Sequence, residues 1–285
     1  MKFNIRNHFP DALRPRIWSF LCDGYVEAKE KELGRDYYCK MLETVLPAKI
    51  ARDIEKDVLR TITHEKEFNP SYKHSLYASL TKVLHAYIVH DPELGYVQGM
   101  NFITAGILFG LAPSNYSNLC FSFGKRFYPR NQGGKGLKNF ERMAFWIMMY
   151  IFEELNWREV FGQNFAKLRA LYGSFEARIL NSSIARAFDT LKENKIKIFD
   201  IFSPWFYSLF INKFPLVESS RIIDIFLLET ESALIDLLIR LLSFSKKEIF
   251  SIKDDPGTLY KFIQDDMVEY VLLSTDGLFS NEFKI

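Results

Sequence analysis

The chain has 285 residues, 48% of them apolar and 25% charged, with a formal net charge of +2. That length allows one large domain or two ordinary ones, the composition is that of a globular protein, and the near-balanced charge argues against a general nucleic-acid binder. The three cysteines, Cys22, Cys39 and Cys120, show no CxxC or Cys/His ligand spacing. They imply neither a disulfide framework nor a zinc site, and buried free thiols in a reducing compartment are expected.

The N-terminus, Met1–His8, lacks the apolar region of a signal peptide. Residues 9–25 read as a helix with Asp11 as its N-cap and with Leu13, Ile17, Trp18 and Leu21 at core-facing spacing. Arg14 and Trp18 are expected to serve packing and ion pairing. Residues 26–45, rich in Glu and Lys ahead of Tyr37-Tyr38-Cys39, suit an exposed helix and then a second one. Residues 47–60 form a further helix whose buried side is marked by Ile50, Ile54, Val58 and Leu59. It carries Ile54-Glu55-Lys56-Asp57-Val58-Leu59-Arg60-Thr61, with Asp57 three residues before Arg60. An acid and a base at that spacing stabilise a helix by about 0.2–0.5 kcal/mol. The more consequential use is to hold the direction of the arginine.

Residues 62–73 are polar, contain Pro70 and read as a loop. Leu76, Leu80, Val83, Leu84 and Tyr87 predict a strong helix over 75–89, which Pro92 stops. A turn at Gly95 then leads into Tyr96-Val97-Gln98-Gly99-Met100-Asn101. Gln98 and Gly99 would sit at a helix start near the mouth of a groove, with Tyr96 and Met100 packed and Asn101 capping or bracing the loop. Residues 96–124 carry no charged side chain, but the apolar run is only Phe102–Ala112, and Pro113-Ser114-Asn115 ends it. A membrane span needs about 20 residues, so a buried core helix is expected. Residues 113–143 hold Lys125, Arg126, Arg130, Lys135, Lys138 and Arg142 against one acid, Glu141. The tip Asn131–Gly136 lacks the spacing and the Ser/Thr of a P-loop. The plain reading is a solvated basic loop; the sharper one is contact with an acidic protein surface or anionic lipid.

Residues 144–155 are apolar nearly all round and predict a buried helix. Amphipathic helices follow at 164–180 and 184–193. Trp205 and Phe206 read as core, and Arg221 or Asp224 as a buried ion-pair partner. Residues 233–244 form an apolar helix, the chain turns charged after Ser245, and 258–273 form a last amphipathic helix beyond the break at Asp254-Asp255-Pro256-Gly257. Strand-like alternation is scarce and no repeat or linker divides the chain, so the expectation is an all-α protein with a single large multi-helix domain. His64-Glu65 has no second histidine at metalloprotease spacing, no Gly-x-Ser-x-Gly elbow occurs, and His85 reads as a packing residue.

The Ile-x-x-Asp-x-x-Arg string ending at Arg60, followed by Tyr-x-Gln-Gly-Met from Tyr96, resembles the motif pair of the TBC domain, the catalytic domain of GTPase-activating proteins for Rab-type small GTPases. Pro10…Leu13-Arg14…Trp18, and then Trp205-Phe206, Phe214-Pro215 and Arg221…Asp224, extend the resemblance over roughly residues 9–245. It implies a TBC-like domain: a catalytic region at 9–245 and a C-terminal helical extension at 246–285, within one domain spanning 1–285. Segment 113–143 would be an insertion.

The resemblance also implies roles. Small GTPases hydrolyse GTP slowly for want of a fixed cation on the transferring phosphoryl group and an amide to orient water; an arginine from a partner is worth roughly 10³–10⁵ in rate. Arginine suits the task because its charge is permanent and its fork matches phosphate. Arg60 and Gln98 would be the catalytic fingers, both supplied in trans. Asp57 would position Arg60, while Tyr96 and Gly99 would shape the Gln98 loop. The chain would be an activator and not a stand-alone hydrolase. It would need no cofactor or metal of its own, because GTP and Mg²⁺ belong to a GTP-bound Rab-type partner. The setting implied is vesicle trafficking: cytoplasmic, recruited to endomembranes by peripheral contact, with no transmembrane segment. One departure is Arg60-Thr61-Ile62-Thr63 where the family often continues Arg-Thr-Phe-Pro. The rival reading is a catalytically inactive TBC-fold module that binds a small GTPase or another partner as a scaffold. Such a module is expected to have lost Arg or Gln at the finger positions, and this chain keeps both.

Overall fold

Helices follow one another through the computed structural model, which describes residues 11–63, 70–111, 135–180 and 182–279; no strand occurs among them. The first half runs α1 (Arg14–Leu33), α2 (Tyr37–Glu43), α3 (Ala48–Thr63), α4 (Pro70–His90), α5 (Met100–Leu111) and α6 (Lys135–Met149). A π-helical turn, Tyr150–Glu154, and a short 3₁₀ helix, Trp157–Phe161, lead to α7 (Ala166–Ile179), α8 (Ala185–Glu193) and α9 (Ile198–Tyr207). Then come α10 (Leu216–Glu229), α11 (Glu231–Ser251), α12 (Pro256–Lys261) and α13 (Met267–Ser274).

The axis of the first half is α5. All of its residues but Phe102 are buried, as an all-round apolar helix requires. It packs against α1, α3, α4, α6 and α10. Gly110 permits the closest of these approaches: a Cβ there would lie 2.2 Å from Cη2 of Trp18 on α1. No helix among the described residues is long and apolar enough to cross a membrane.

The same junction buries an ion pair. Arg14 is only 2% exposed. Its Nε donates to Asp224 Oδ1 and Oδ2 at 2.9 and 3.1 Å, and its Nη2 to Oδ2 at 3.0 Å. Trp18 Nε1 donates to Asp224 Oδ1 at 2.8 Å. The expected ion-pair role of Arg14 and Asp224 is therefore observed, whereas Arg221 faces Glu218 on its own helix.

Several expectations are corrected. Asp11 does not cap α1; it lies in a 3₁₀ turn and its Oδ1 accepts from Arg14 Nη1 at 2.6 Å. Leu13 and Leu59 are exposed. Leu59 sits about 100° round the helix from Val58, off the stripe that Ile54 and Val58 bury. Cys22 is buried but Cys39 is exposed, because Tyr38 takes the inward position on α2; Cys120 lies outside the described residues. Helix α4 starts at Pro70, not 75, which follows from proline's pre-set φ and dispensable N–H at a first helical turn. Helix α11 continues past Ser245, because Ser245 and Ile249 keep its apolar face while Lys246, Lys247 and Glu248 face outward or stand at its flank.

The basic segment 113–143 falls largely outside the described residues. Where it is described, Glu141 is buried, not solvated: it accepts from Tyr38 OH at 3.3 Å, Ser79 Oγ at 3.0 Å and Lys82 Nζ at 3.0 Å. Arg142 pairs with Glu30 on α1.

Candidate functional site

The last turn of α3 and the loop before α5 meet. Arg60 lies near the end of α3 with its side chain 66% exposed. Asp57, one turn earlier, is buried, and one carboxylate oxygen pairs with Arg60 Nη2. The other accepts from Tyr96 OH at 2.8 Å. A buried carboxylate with two donors is fixed, and an exposed guanidinium bonded to it has its direction set. Burial, then the bond to Asp57, raise the Tyr96 hydroxyl pKa above its ordinary value, so it stays a proton donor.

A second path joins the same segments. Thr61 Oγ1 donates to the Asp57 carbonyl at 2.7 Å and accepts from Asn101 Nδ2 at 2.7 Å. Asn101 Oδ1 accepts from the Gly99 N–H at 2.9 Å. Thr61 and Asn101 are both buried, so their bonds are shielded from water. Gln98 stands exposed between Tyr96 and Gly99, the two residues these paths hold. Asp57, Arg60, Tyr96 and Gly99 are thus tied into one network, with Gln98 carried on the loop it braces.

Gly99 is required by its backbone. Its φ is +115°, and a Cβ there would lie 3.2 Å from the Tyr207 carbonyl oxygen. Gly99→Ala is expected to cost about 1–3 kcal/mol through the strained backbone. Urea unfolding checks this; a change below about 0.5 kcal/mol would show that the loop adopts another path.

Sequence reasoning foresaw Asn101 as a brace but missed Thr61 and Tyr207, whose contacts with Asn101 and Gly99 cross a long stretch of chain. Thr61 had one signal, a hydroxyl four residues after Asp57 that can bond its carbonyl. His85 has a structural partner, its Nε2 lying 2.7 Å from the Thr44 carbonyl. Chemically, the arrangement presents a fixed guanidinium and an amide on a braced loop. No cluster of three or more His, Cys, Asp or Glu suited to a metal ion occurs among the described residues.

The profile of the Rab-GTPase-TBC domain matches residues 11–250. The GTPase-activating protein GYP5 of Eremothecium gossypii is 26% identical over 268 residues, covering 94% of this chain and 27% of that protein. GYP5 of Saccharomyces cerevisiae is 24% identical over 275 residues, covering 96% and 26%. The chain therefore spans about a quarter of the length of these relatives. The crystal structure of the Chlamydomonas flagellar RabGAP TBC domain superposes with a TM-score of 0.71 at 20% identity, covering 99% of this chain and 82% of that one. That likeness establishes the fold.

Proposed function

The chain belongs to the Rab-GTPase-TBC domain family, and from that membership we propose that it is a GTPase-activating protein for a GTP-bound Rab-type small GTPase, supplying Arg60 and Gln98 in trans. The observation that carries the reading is the single network Arg60–Asp57–Tyr96 and Asp57–Thr61–Asn101–Gly99. It gives two exposed side chains from segments some forty residues apart a common rigid base.

The steps follow from the side chains. A guanidinium has five donors, so Arg60 keeps one on Asp57 while others turn to the phosphoryl oxygens. There it offsets the charge that builds as the bond to the leaving phosphate breaks. The Gln98 amide both donates and accepts, so it can orient the attacking water. GTP and Mg²⁺ are brought by the partner, and the work of this chain is positioning and charge. A role in vesicle traffic at endomembranes follows from such a partner.

The test is single-turnover GTP hydrolysis across a panel of Rab-type GTPases. Acceleration of one or a few members is expected, with Gln98→Ala slowing the accelerated rate by tenfold or more, about 1.4 kcal/mol of barrier per factor of ten. Binding to a member with no acceleration of any would replace this reading with that of a scaffold.

A further inference from the structure

Residues 91–99, which carry Gln98, join α4 to α5 without a helix of their own. Such a segment takes its shape from the side chains that satisfy and anchor it. Tyr96 and Gly99 are held as described; the start of the loop is held by Asp91. Its Oδ1 accepts from the Leu94 N–H at 3.1 Å, and its carbonyl accepts from the Gly95 N–H at 3.0 Å. Arg158 grips that carboxylate with both edges of its fork: Nε donates to Oδ2 at 2.6 Å and Nη2 to Oδ1 at 3.1 Å. The same Nη2 donates to Glu93 Oε2 at 3.0 Å. The bond from Arg158 holds the Asp91 carboxyl below the usual carboxylate range.

Arg158 is itself well placed. It lies on the 3₁₀ helix Trp157–Phe161, entered through Asn156 in the left-handed region at φ +54°. Trp157 is buried against Phe226, with ring centroids 5.1 Å apart. Phe161 stacks on Phe152 at 5.5 Å and on Tyr207 at 5.5 Å. Tyr207 is the residue whose backbone lies against Gly99. One short helix thus grips the loop at its start through Arg158 and backs its end through Phe161 and Tyr207. Just ahead of it, Glu153 lies 2.5 Å from His90 Nε2 at the end of α4, so the two segments are joined twice.

We propose that Arg158 is a positioning residue for Gln98: through Asp91 and Glu93 it holds the loop so that the Gln98 amide meets the attacking water in one orientation. The inference rests on the reading under Proposed function. A pair whose arginine reaches solvent contributes modestly to global stability, but a bidentate fork on a carboxylate fixes direction, which a lysine cannot do. The effect is therefore local to the loop.

The test compares Arg158→Gln and Arg158→Lys, alone and combined with Gln98→Ala or Arg60→Ala, by single-turnover hydrolysis on a responsive GTPase. Hydrogen–deuterium exchange of the free protein runs alongside. Arg158→Gln is expected to lower the maximal rate about tenfold with less than about threefold change in the half-saturating concentration, and Arg158→Lys to fall between it and the native protein. The loss should shrink below about twofold on the Gln98→Ala background and persist in full on Arg60→Ala. Amides of residues 94–99 should exchange about tenfold faster, and those of α5 should not change. A full loss that persists on Gln98→Ala would overturn the proposal, and so would unchanged exchange at 94–99. Absence of acceleration by the native protein on every GTPase would instead bring down the underlying reading, and this role with it.

Discussion

Arg60→Ala is expected to lower the accelerated hydrolysis rate by at least about 100-fold, or about 2.7 kcal/mol of barrier, on any GTPase that responds to the native protein. The Arg60 side chain is 66% exposed, so its ion pair with the buried Asp57 is screened by water at the guanidinium end, and folding should change by about 1 kcal/mol. Asp57 keeps Tyr96 as a partner in the variant, so the loop that carries Gln98 stays braced. That separation of effects makes the variant informative: the rate falls while the melting temperature and the affinity for the GTPase hold. Arg60→Lys should rescue little, because an ammonium lacks the fork that serves Asp57 and a phosphate together. Quenched-flow hydrolysis and thermal melts on the same preparations measure both. A rate within tenfold of native for Arg60→Ala would move the cationic role to another residue.

The largest stability effect is expected at the other end of the fold. Asp224→Ala should cost about 3–5 kcal/mol, because it leaves the Arg14 guanidinium buried without its main counter-charge. The remaining carboxylate, Asp11, is 53% exposed and engages only Nη1. Trp18 Nε1 loses its acceptor in the same step. For a chain of this size each kcal/mol lowers the melting temperature by roughly 2–4 °C, so a fall of order 10 °C is expected. Replacing both partners, as in Arg14→Met with Asp224→Leu, should cost much less than the sum of the single losses, since no buried charge is then left uncompensated. Chemical denaturation of the native protein, Arg14→Met, Asp224→Leu and the double variant checks the cycle, with Asp224→Ala measured alongside. A loss below about 1 kcal/mol in Asp224→Ala would mean that water reaches Arg14 and replaces the carboxylate.

How far these features could be read from the sequence depended on the range of the interaction. The stripe Leu76, Leu80, Val83, Leu84 and Tyr87 is buried as its period indicates, and the run from Phe102 is a core helix because it is apolar on every side. The Asp57–Arg60 contact was legible because acid and base three residues apart on a helix share a face. Helix ends were less legible. Charge after Ser245 hid a continuing apolar face, and Pro70 looked like a breaker where it starts a helix. Contacts between distant segments left no spacing to read: Tyr96 to Asp57, Asn101 to Thr61 and Arg158 to Asp91 exist only once the helices are packed. Glu141 showed the same limit, since an acid among basic residues reads as surface until Ser79 and Tyr38 are brought over it.

The central claim, that this chain supplies the water-orienting amide as well as the cation, is tested most directly on a responsive Rab-type GTPase whose own glutamine has been replaced by alanine. Single-turnover GTP hydrolysis by that GTPase should still be accelerated by the native protein, to within about tenfold of the rate with its native partner. Gln98→Ala should then remove the acceleration altogether. A glutamine-deficient GTPase that no longer responds to the native protein, or that responds equally well to Gln98→Ala, would contradict the claim.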